Sequence, residues 1–548
     1  MSFKKISVAA SVLLVCLIIF SFTSTGGRYT SLIKNLEVYA ELFKTLNDNY
    51  VDELNPNDLM RTGIDGMLNS MDPYTNYFPE DQVEDIRTMT TGQYGGIGAT
   101  TKRIRNRTIV TRIFPGYPAE KNGLRTGDEI LKLDGIDLQH LSVDEANNLM
   151  RGQVGNPVQL TIKRPGLSQL LDITFKREKI KLKTVSFSQM LTNLSGYIRL
   201  DEFNAEAGNQ VHEALQSLLH KGAKSIILDL RGNPGGLLEE AVSICGLFLP
   251  RGSLIVSTRG KLPESNASYV TKFAPIAPEI PLLVLIDRGS ASASEIVAGT
   301  LQDYDRAVIL GEKSYGKGLV QIRRPLSYNS VAMITTAKYY TPSGRCIQVI
   351  DYSRRRKDGS AENIADSLKR SFKTTNGRLV RDGGGIDPDI NVERKINSAL
   401  LEGIESKGLI YDFTTNYVLT HSEKPVENFQ VSDKLFQEFI SWCDKEGINE
   451  ISKAERELNE LEKQLRSERK DPEINKIISS IRQGIQTSNQ HDFTDMKDHV
   501  KGLLVYDILV RYYPESVAIL NSFQYDKELN IALSTLSNSA SYQGILKK

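Results

Sequence analysis

The amino-acid sequence predicts an α/β protein of several domains, in which a small, mostly β unit interrupts helical and α/β segments. Three observations support this prediction. The chain of 548 residues is longer than one hydrophobic core usually serves. Strand-then-helix patterns repeat between residues 195 and 350, as expected for a largely parallel sheet. Residues 92–166 instead carry short β-type runs separated by Gly-Asp and Asp-Gly turns.

Helical spacing is found on both sides of these two regions. In residues 31–71 it is shown by Leu36, Tyr39, Phe43 and Leu46. After about residue 396 two apolar stripes recur at this spacing, formed by Leu435, Phe436, Phe439, Ile440 and Cys443 and by Leu458, Leu461 and Leu465. The sequence therefore predicts helical segments before the β unit and after the α/β core.

Local signals mark the individual elements of the β unit and the core. Ser142 followed by Glu145 is a capping box and predicts a helix that runs to about Arg151. Strands are predicted over Thr108–Phe114, Glu129–Leu133 and Val158–Ile162 in the β unit, and over Ser225–Leu230, Pro281–Ile286 and Arg306–Leu310 in the core. Helices are predicted from Leu237 to about Leu249 and from near Ser292.

Composition excludes some classes of partner and site. The formal net charge of +1 gives no electrostatic reason to expect nucleic acid. Beyond the N-terminal segment the cysteines are Cys245, Cys346 and Cys443, and their wide spacing suits neither a disulfide framework nor a metal site. We expect them to be small buried hydrophobic residues, and we predict no metal and no other cofactor.

The N-terminus predicts export. Lys4 and Lys5 precede an uncharged apolar run, residues 6–22, and small and polar residues follow through Gly27. This pattern is typical of a signal peptide or a single N-terminal anchor, and the 17-residue run leaves cleavage and retention both open. We therefore expect the protein in the cell envelope, on the periplasmic side of the inner membrane.

A candidate catalytic serine lies in the segment Ser290–Glu295, which follows a buried strand and opens a helix. A hydroxyl there lies at the carboxyl edge of the sheet, where N–H groups and the helix dipole stabilise a developing oxyanion. Gly235-Gly236, at another strand end, is a second candidate contributor of N–H groups. A small-residue helix cap and a tight strand-to-helix turn explain the same segments without catalysis.

Lys317 is the candidate base. It lies between Gly316 and Gly318, and small flanking residues let a backbone approach closely while the side chain points inward. A lysine base must be neutral, so burial has to lower its pKa from about 10.4 towards 7, at a cost of about 4 kcal/mol. Gln321 is placed four residues on to hydrogen-bond the neutral amine.

The usual partner of a catalytic serine, a histidine, has no suitable candidate. The histidines are His140, His212, His220, His421, His491 and His499, and none lies in a Gly-rich or strand-end segment. A serine nucleophile without such a histidine indicates lysine as the base. In the β unit, Tyr94-Gly95-Gly96-Ile97-Gly98 resembles a loop whose N–H groups bind a terminal carboxylate, although a glycine-rich hairpin fits as well.

Taken in order, these segments resemble the carboxyl-terminal processing (tail-specific) proteases, which are serine peptidases with an embedded PDZ domain. The resemblance covers roughly residues 35–395. The matching segments are Tyr94–Gly98, Pro115–Ala119, Asp134-Gly135, Leu230–Gly236, Gly289–Glu295, Gly316–Gly318 with Gln321, Thr341–Arg345, Gly384–Ile386 and Pro388-Asp389. One departure is Tyr117, which stands where a smaller residue is commoner in the family.

The resemblance implies roles for particular residues. Ser292 is expected to be the nucleophile, Lys317 the general base and Gln321 the residue that positions the lysine. The oxyanion hole is expected from the amide of Ala293 and a glycine of Gly235-Gly236. The peptide-binding residues are expected to be Tyr94, Gly95, Gly96, Ile97 and Gly98, with Arg151 coupling peptide binding to the active site.

The sequence patterns and the resemblance together give the expected organisation of the chain. We expect an N-terminal signal or anchor (1–27), a helical segment (28–91), an inserted PDZ domain (92–180), a crotonase-like α/β protease core (181–395) and a helical C-terminal extension (396–548), on which the resemblance is silent. The expected activity is endopeptidase cleavage of envelope proteins recognised by their free C-termini. A regulatory envelope protein and a homo-oligomer are left open as partners.

Two other functions fit parts of the pattern. A peptide-binding scaffold with a degenerate protease core is disfavoured by the presence of Ser292, Lys317 and Gln321. A crotonase-like acyl-CoA enzyme is disfavoured by the PDZ-like unit and the export signal, because acyl-CoA chemistry is intracellular.

Overall fold

The computed structural model describes residues 29–356, 359–393, 398–421, 423–448, 453–467 and 472–547. The described residues divide into two units. The first contains residues 29–80, 321–335 and 359, and the second contains the described parts of 81–320, 336–356 and 360–547. The N-terminal segment predicted over residues 1–27 lies outside the described residues.

The first unit begins with two helices, where the sequence predicted one helical segment. Helix α1 covers residues 29–49 and α2 covers Pro56–Asn69. A new helix starts at Pro56 because Asn55 caps it, accepting a hydrogen bond from the Asn57 N–H (2.9 Å), and proline suits the first helical position. Strand β1, Asn76–Phe78, then pairs antiparallel with residues 331–333.

The second unit begins with helix α3, Val83–Thr91, and the predicted β unit. Its elements are β2 (Gln93–Gly96), β3 (Ala99–Ile104), β4 (Arg107–Ile113), α4 (Pro118–Lys121), β5 (Glu129–Leu133), β6 (Ile136–Asp137), α5 (Val143–Met150), β7 (Pro157–Lys163), β8 (Leu171–Lys176) and β9 (Glu178–Lys181). The main sheet has the order β3-β4-β5-β7-β8, with β6 beside β5, and β2 pairs with β9. The predicted capping box is confirmed, since Ser142 and Glu145 begin α5.

The α/β core follows. Its elements are β10 (Val185–Met190), β11 (Ser195–Leu200), α6 (Ala207–His220), β12 (Ser225–Asp229), α7 (Leu238–Gly246), β13 (Leu254–Gly260), β14 (Ala267–Val270), β15 (Leu282–Ile286), α8 (Ala293–Asp303), β16 (Val308–Gly311), β17 (Leu319–Pro325), β18 (Val331–Tyr340), β19 (Ile350–Arg355), β20 (Ala361–Asn363), β21 (Ser371–Lys373), β22 (Leu379–Arg381) and β23 (Ile390–Asn391). Helix α7 ends earlier than predicted, because Pro250 disfavours helix in the residues just before it.

The central sheet has the order β10-β11-β12-β15-β16-β23. The pairs from β11 to β23 are parallel, as predicted, and only β10 is antiparallel to its neighbour. Strands β15 and β16 have no polar side chains because alternate side chains are covered on opposite faces of the sheet. Leu228 and Val284 pack towards α6–α8, whereas Ile227 and Leu283 face the other side.

The C-terminal region is helical, and its last helices cover the second face of this sheet. The helices of this region are α9 (Ser398–Ser406), α10 (Leu409–Thr420), α11 (Asp433–Lys445), α12 (Lys453–Ser467), α13 (Pro472–Asp495), α14 (Lys497–Leu509), α15 (Glu515–Ser522), α16 (Lys527–Ser537) and α17 (Ser539–Leu546). Leu529 and Ala532 of α16, with Tyr542 and Leu546 of α17, pack on the sheet. The last two helices of the extension are therefore part of the core around the sheet, whereas α9, α10, α11 and α14 form a hydrophobic cluster of their own.

The same helices also contact the β unit. The Tyr411 hydroxyl donates a hydrogen bond to the carbonyl of Gly127 (2.6 Å). Beside it, Arg107 pairs with Asp412 (2.7 Å). The C-terminal helical region thus contacts both the β unit and the α/β core.

Cys245 and Cys443 are buried and Cys346 is half-buried, and all three are free thiols. Among the described residues, no helix combines the length and the apolar character needed to span a membrane. The apolar run of residues 6–22 lies outside that part of the chain.

Candidate active site

Ser292 lies in the turn between β15 and α8, at the carboxyl edge of the sheet. Its backbone has φ 54° and ψ −111°, a conformation that side-chain-bearing residues rarely adopt and that costs on the order of 1–3 kcal/mol. Every residue of α8 is buried, whereas Ser292 itself is half-buried. The strained turn thus places the half-buried serine at the start of a buried helix.

Hydrogen bonds to the loop after β12 stabilise the strained turn that carries Ser292. Asp287 accepts a hydrogen bond from the N–H of Gly232 (2.8 Å). The carbonyl of Asn233 accepts from the Ala291 N–H (3.0 Å) and from the Ser294 hydroxyl (2.9 Å). The loop of residues 230–236 and the serine turn therefore form one hydrogen-bonded structure.

Gly235 is in direct contact with the serine turn. It has φ 104°, and a side-chain carbon there would lie 2.7 Å from the carbonyl oxygen of Ala291 and 2.8 Å from Cβ of Ser292. The Gly235 N–H donates to the side chain of Asn233 (2.9 Å). Among the described residues, no hydrogen bond from the N–H of Gly236 or Ala293 is found. Of the two predicted glycines, Gly236 is thus the one whose N–H remains available.

The loop that carries Lys317 follows β16 and contacts the serine turn. The Tyr315 N–H donates to the carbonyl of Ser290 (3.0 Å). Gly316 packs against Val349 so closely that a side chain would collide with it, which explains one small flanking residue of Lys317. Lys317 is half-buried between its two glycines.

Glu295 joins the two loops. Its Oε2 accepts hydrogen bonds from the backbone N–H groups of both Ser292 (2.9 Å) and Lys317 (2.9 Å). Its Oε1 accepts from the Gly316 N–H (2.7 Å) and the Ser314 hydroxyl (2.6 Å). The carboxyl is fully buried, and this burial raises its pKa to about 7, although the four hydrogen bonds favour the charged form.

The sequence analysis did not identify Glu295. Its signal was present, because Ser292 and Glu295 repeat the S-x-x-E spacing that was recognised at Ser142 and Glu145. At α5 this spacing is only a helix cap, and Glu145 is exposed. Nothing in the local pattern distinguishes the two glutamates, since the additional donors of Glu295 come from a different loop.

Gln321 lies in the first unit. There its amide donates a hydrogen bond to the Thr335 hydroxyl (3.1 Å), which donates to Asp72 (3.1 Å). Orientation of the Lys317 amine by Gln321 remains a prediction. None of the six histidines lies on the loops 230–236, 287–295 or 311–318.

In the β unit, the predicted peptide-binding residues are distributed over a strand and a turn. Tyr94, Gly95 and Gly96 belong to β2, the carbonyl of Ile97 accepts from the Ala119 N–H (2.8 Å), and Gly98 turns the chain into β3 with φ 80°. Cβ of Tyr117 packs directly on Gly98, so the departure at Tyr117 is accommodated by the glycine.

Two further features of this unit bear on peptide binding. The Arg151 guanidinium lies over the ring of Tyr94, 5.4 Å from its centroid, so two predicted residues are in contact. Strand β3 is the terminal strand of its sheet. In the part of the chain that the structure describes, no cluster of His, Cys, Asp or Glu residues suited to a metal ion is found.

Three family models match consecutive parts of the chain. The PDZ domain matches residues 86–163, peptidase family S41 matches 195–352, and the C-terminal helical domain of probable PDZ-proteases matches 400–536. The carboxy-terminal-processing protease of Bartonella bacilliformis is 38% identical over 347 residues, which are 63% of this chain and 79% of that protein. The chain belongs to peptidase family S41. It is a C-terminal processing serine protease with a PDZ domain.

Other similar proteins carry related names. A probable CtpA-like serine protease of Staphylococcus aureus is 32% identical to this S41 protease over 342 residues, 62% of this chain and 68% of that protein. The solved photosystem II D1 C-terminal processing protease has 25% identity and a TM-score of 0.35, covering 68% of this chain and 96% of that one. Residues 400–536 of the extension thus match a known domain family, which the sequence analysis did not predict.

Proposed function

We propose that this S41 protease hydrolyses peptide bonds with Ser292 as nucleophile and Lys317 as general base. One observation carries the proposal. A single buried carboxylate oxygen, Oε2 of Glu295, accepts hydrogen bonds from the backbones of both residues, which come from separate loops. An arrangement that fixes a serine and a lysine together at a sheet edge suits a nucleophile and its base.

The chemistry follows from these positions. The neutral Lys317 amine removes the proton of the Ser292 hydroxyl as its oxygen attacks the scissile carbonyl, and N–H groups of Ala293 and Gly236 stabilise the oxyanion. The protonated amine then gives its proton to the departing peptide nitrogen, leaving an acyl-enzyme. Water, deprotonated by the same amine, hydrolyses the ester. Gln321 orients the amine.

Substrates are bound by their free C-termini. The Tyr94–Gly98 segment leads into β3, and the free edge of this terminal strand suits the addition of a peptide as a further strand. Arg151, stacked on Tyr94, couples peptide binding to the protease core. We further propose that the core is crotonase-like, which its parallel strands flanked by helices support.

The proposed location is the cell envelope. Its support is the pattern of Lys4 and Lys5 before the apolar run of residues 6–22. Protease added to intact spheroplasts should then degrade the protein. Protection that persists until the spheroplasts are lysed would place it in the cytoplasm instead.

The catalytic pair is tested by substitution. Ser292→Ala and Lys317→Ala should each abolish peptide hydrolysis, and the double variant should be hardly worse, since residues that act as a unit are not additive. A fluorophosphonate should label the wild type and not Ser292→Ala. Lys317→Arg is the sharper variant, because arginine keeps the charge but does not deprotonate near neutral pH. Near wild-type activity of Lys317→Arg would refute the Ser–Lys mechanism.

A further inference from the structure

Arg231 begins the loop that leads from β12 to Gly235 and Gly236. Its guanidinium forms a bidentate pair with Asp229, with Nε 2.9 Å from Oδ1 and Nη2 2.5 Å from Oδ2. The Arg231 backbone N–H also donates to Asp229 (2.9 Å). The side chain and the backbone of Arg231 are therefore held by the same carboxylate at the end of the strand.

The remaining donors of Arg231 are used by the C-terminal helical domain. Asp526 accepts from Nη1 (3.0 Å) and Nη2 (2.7 Å), and Glu528 accepts from Nη1 (2.5 Å). These carboxylates lie 295 and 297 residues away in the sequence. A guanidinium presents its donors in a rigid planar fork, so carboxylates on two sides fix its position and its orientation.

The network is shielded from water. The Arg231 side chain is 11% exposed, and those of Asp229 and Glu528 are 2% and 3% exposed. Burial alone would raise the pKa of Asp229, but the charge and hydrogen bonds of Arg231, together with Arg199 and Tyr197, outweigh it and lower this pKa to about 2. A buried charge without its partner is strongly destabilising, so the position of Arg231 and its loop depends on where Asp526 and Glu528 lie.

Asp526 also begins helix α16, since it caps the helix by accepting from the Leu529 N–H (2.9 Å). Leu529 in turn packs on the second face of the protease sheet. The start of α16 and the position of Arg231 are thus fixed by one carboxylate.

We propose that Arg231 is a positioning residue of the protease, through which Asp526 and Glu528 of the C-terminal helical domain hold the loop that carries Gly235 and Gly236 in its catalytic conformation. The inference rests on the proposed role of this loop in oxyanion binding. Full activity then requires α16 to be docked on the core, and the domain contributes to the reaction as well as to stability.

The test uses the full chain with Asp526→Asn and Glu528→Gln combined. Asparagine still caps α16 and glutamine keeps the size of Glu528, while both charges that the C-terminal helical domain presents to Arg231 are removed. Removing one oxyanion donor costs about 100- to 1,000-fold in kcat, so partial misplacement should lower kcat about 10- to 100-fold. KM should stay within about twofold, because the oxyanion forms only in the transition state. The affinity of a peptide boronic acid, whose tetrahedral adduct occupies the oxyanion hole, should fall in proportion to kcat/KM.

Tyr542→Phe is the matched control. The Tyr542 hydroxyl bonds the backbone N–H (3.0 Å) and carbonyl (3.1 Å) of Leu282 in the same interface, but it does not contact Arg231. This variant should lower the melting temperature and leave kcat unchanged. Arg231→Lys, which keeps the charge and loses the fork, should behave like the double variant. If the double variant does not fold, Asp526→Asn alone, at the more exposed carboxylate, should still show a smaller loss of kcat.

Three results would overturn the inference. They are wild-type kcat in a folded double variant, wild-type kcat in Asp526→Asn if only this variant folds, and an equal loss of kcat in Tyr542→Phe at the same loss of stability. The proposed function fails separately. If Ser292→Ala stays active, the Ser–Lys mechanism is wrong. If Ser292→Ala is inactive while the double variant keeps wild-type kcat, only the role of Arg231 is wrong.

Discussion

Replacement of Glu295 by glutamine tests how the active site is assembled. The wild-type carboxylate receives hydrogen bonds on both oxygens, with Ser292 and Lys317 on Oε2 and Ser314 and Gly316 on Oε1. Glutamine has almost the same shape but only one oxygen. Its NH2 group must face either the N–H groups of Ser292 and Lys317, which then lose their shared acceptor, or Gly316 and Ser314, of which only the Ser314 hydroxyl can accept a hydrogen bond in return.

The effects on stability and on activity should differ. Two hydrogen bonds to a charged group are worth about 3–6 kcal/mol in total. Against this, a neutral glutamine avoids the cost of burying a charged carboxylate, which is the effect that raises the pKa of Glu295 from 4.5 to about 7. The free energy of unfolding should therefore fall by less than this total. Activity should fall about 100-fold or more, because either Ser292 and Lys317 lose their shared acceptor or the loop that carries Lys317 loses its hydrogen bond from Gly316.

The pH dependence provides a second measurement on the same residue. Because the pKa of Glu295 is raised in the folded state, the folded protein binds more protons than the unfolded chain between about pH 4.5 and 7. The stabilisation linked to this proton is fully present below pH 4.5 and is lost as the pH rises through about 7. Activity should change in the opposite direction, since the protonated carboxyl has lost an acceptor for Ser292 and Lys317.

The assay is kcat/KM for a peptide substrate together with the free energy of unfolding, both from pH 4.5 to 8.5, for wild type and Glu295→Gln. Glu145→Gln is the matched control, because Glu145 has the same S-x-x-E capping position on the exposed start of α5. It should leave kcat unchanged. A Glu295→Gln variant with kcat within threefold of wild type, or with the wild-type slope of stability against pH, would refute the reasoning.

Two further predictions concern the glycines and the substrate. Gly235→Ala should lower kcat/KM at least about 100-fold, because the new methyl group would lie 2.7 Å from the Ala291 carbonyl. Gly232→Ala is the control, because a side chain there meets nothing within 4 Å and should cost only about 1–2 kcal/mol of stability from its positive φ. Comparable losses of activity in both variants would argue against a role for the close approach of Gly235 to the serine turn. If the Tyr94–Gly98 segment binds a carboxylate, amidation of a peptide substrate should weaken its binding about 10- to 100-fold, since such charged hydrogen bonds are worth about 1.5–3 kcal/mol. Equal turnover of acid and amide would exclude that role.

Much of the fold was determined by local features of the sequence. The apolar runs placed β12, β15 and β16 to within about two residues, because a strand buried on both faces consists mainly of apolar residues. The capping box at Ser142 placed the start of α5 because its two hydrogen bonds join residues three apart. The small residues around Ser292 and Lys317 indicated close backbone approach, and the structure shows it.

Only the tertiary structure decided which distant groups meet. Glu295 and Glu145 have the same local pattern, but one is buried beneath the Lys317 loop and the other is exposed. Arg231 and Asp526 are 295 residues apart, and the sequence around either residue does not indicate their contact. Apolar periodicity reports whether a side chain is buried, whereas a polar contact depends on the direction in which two remote backbones present their groups. For this reason the sequence identified the serine and lysine segments, and the fold alone showed what holds them together.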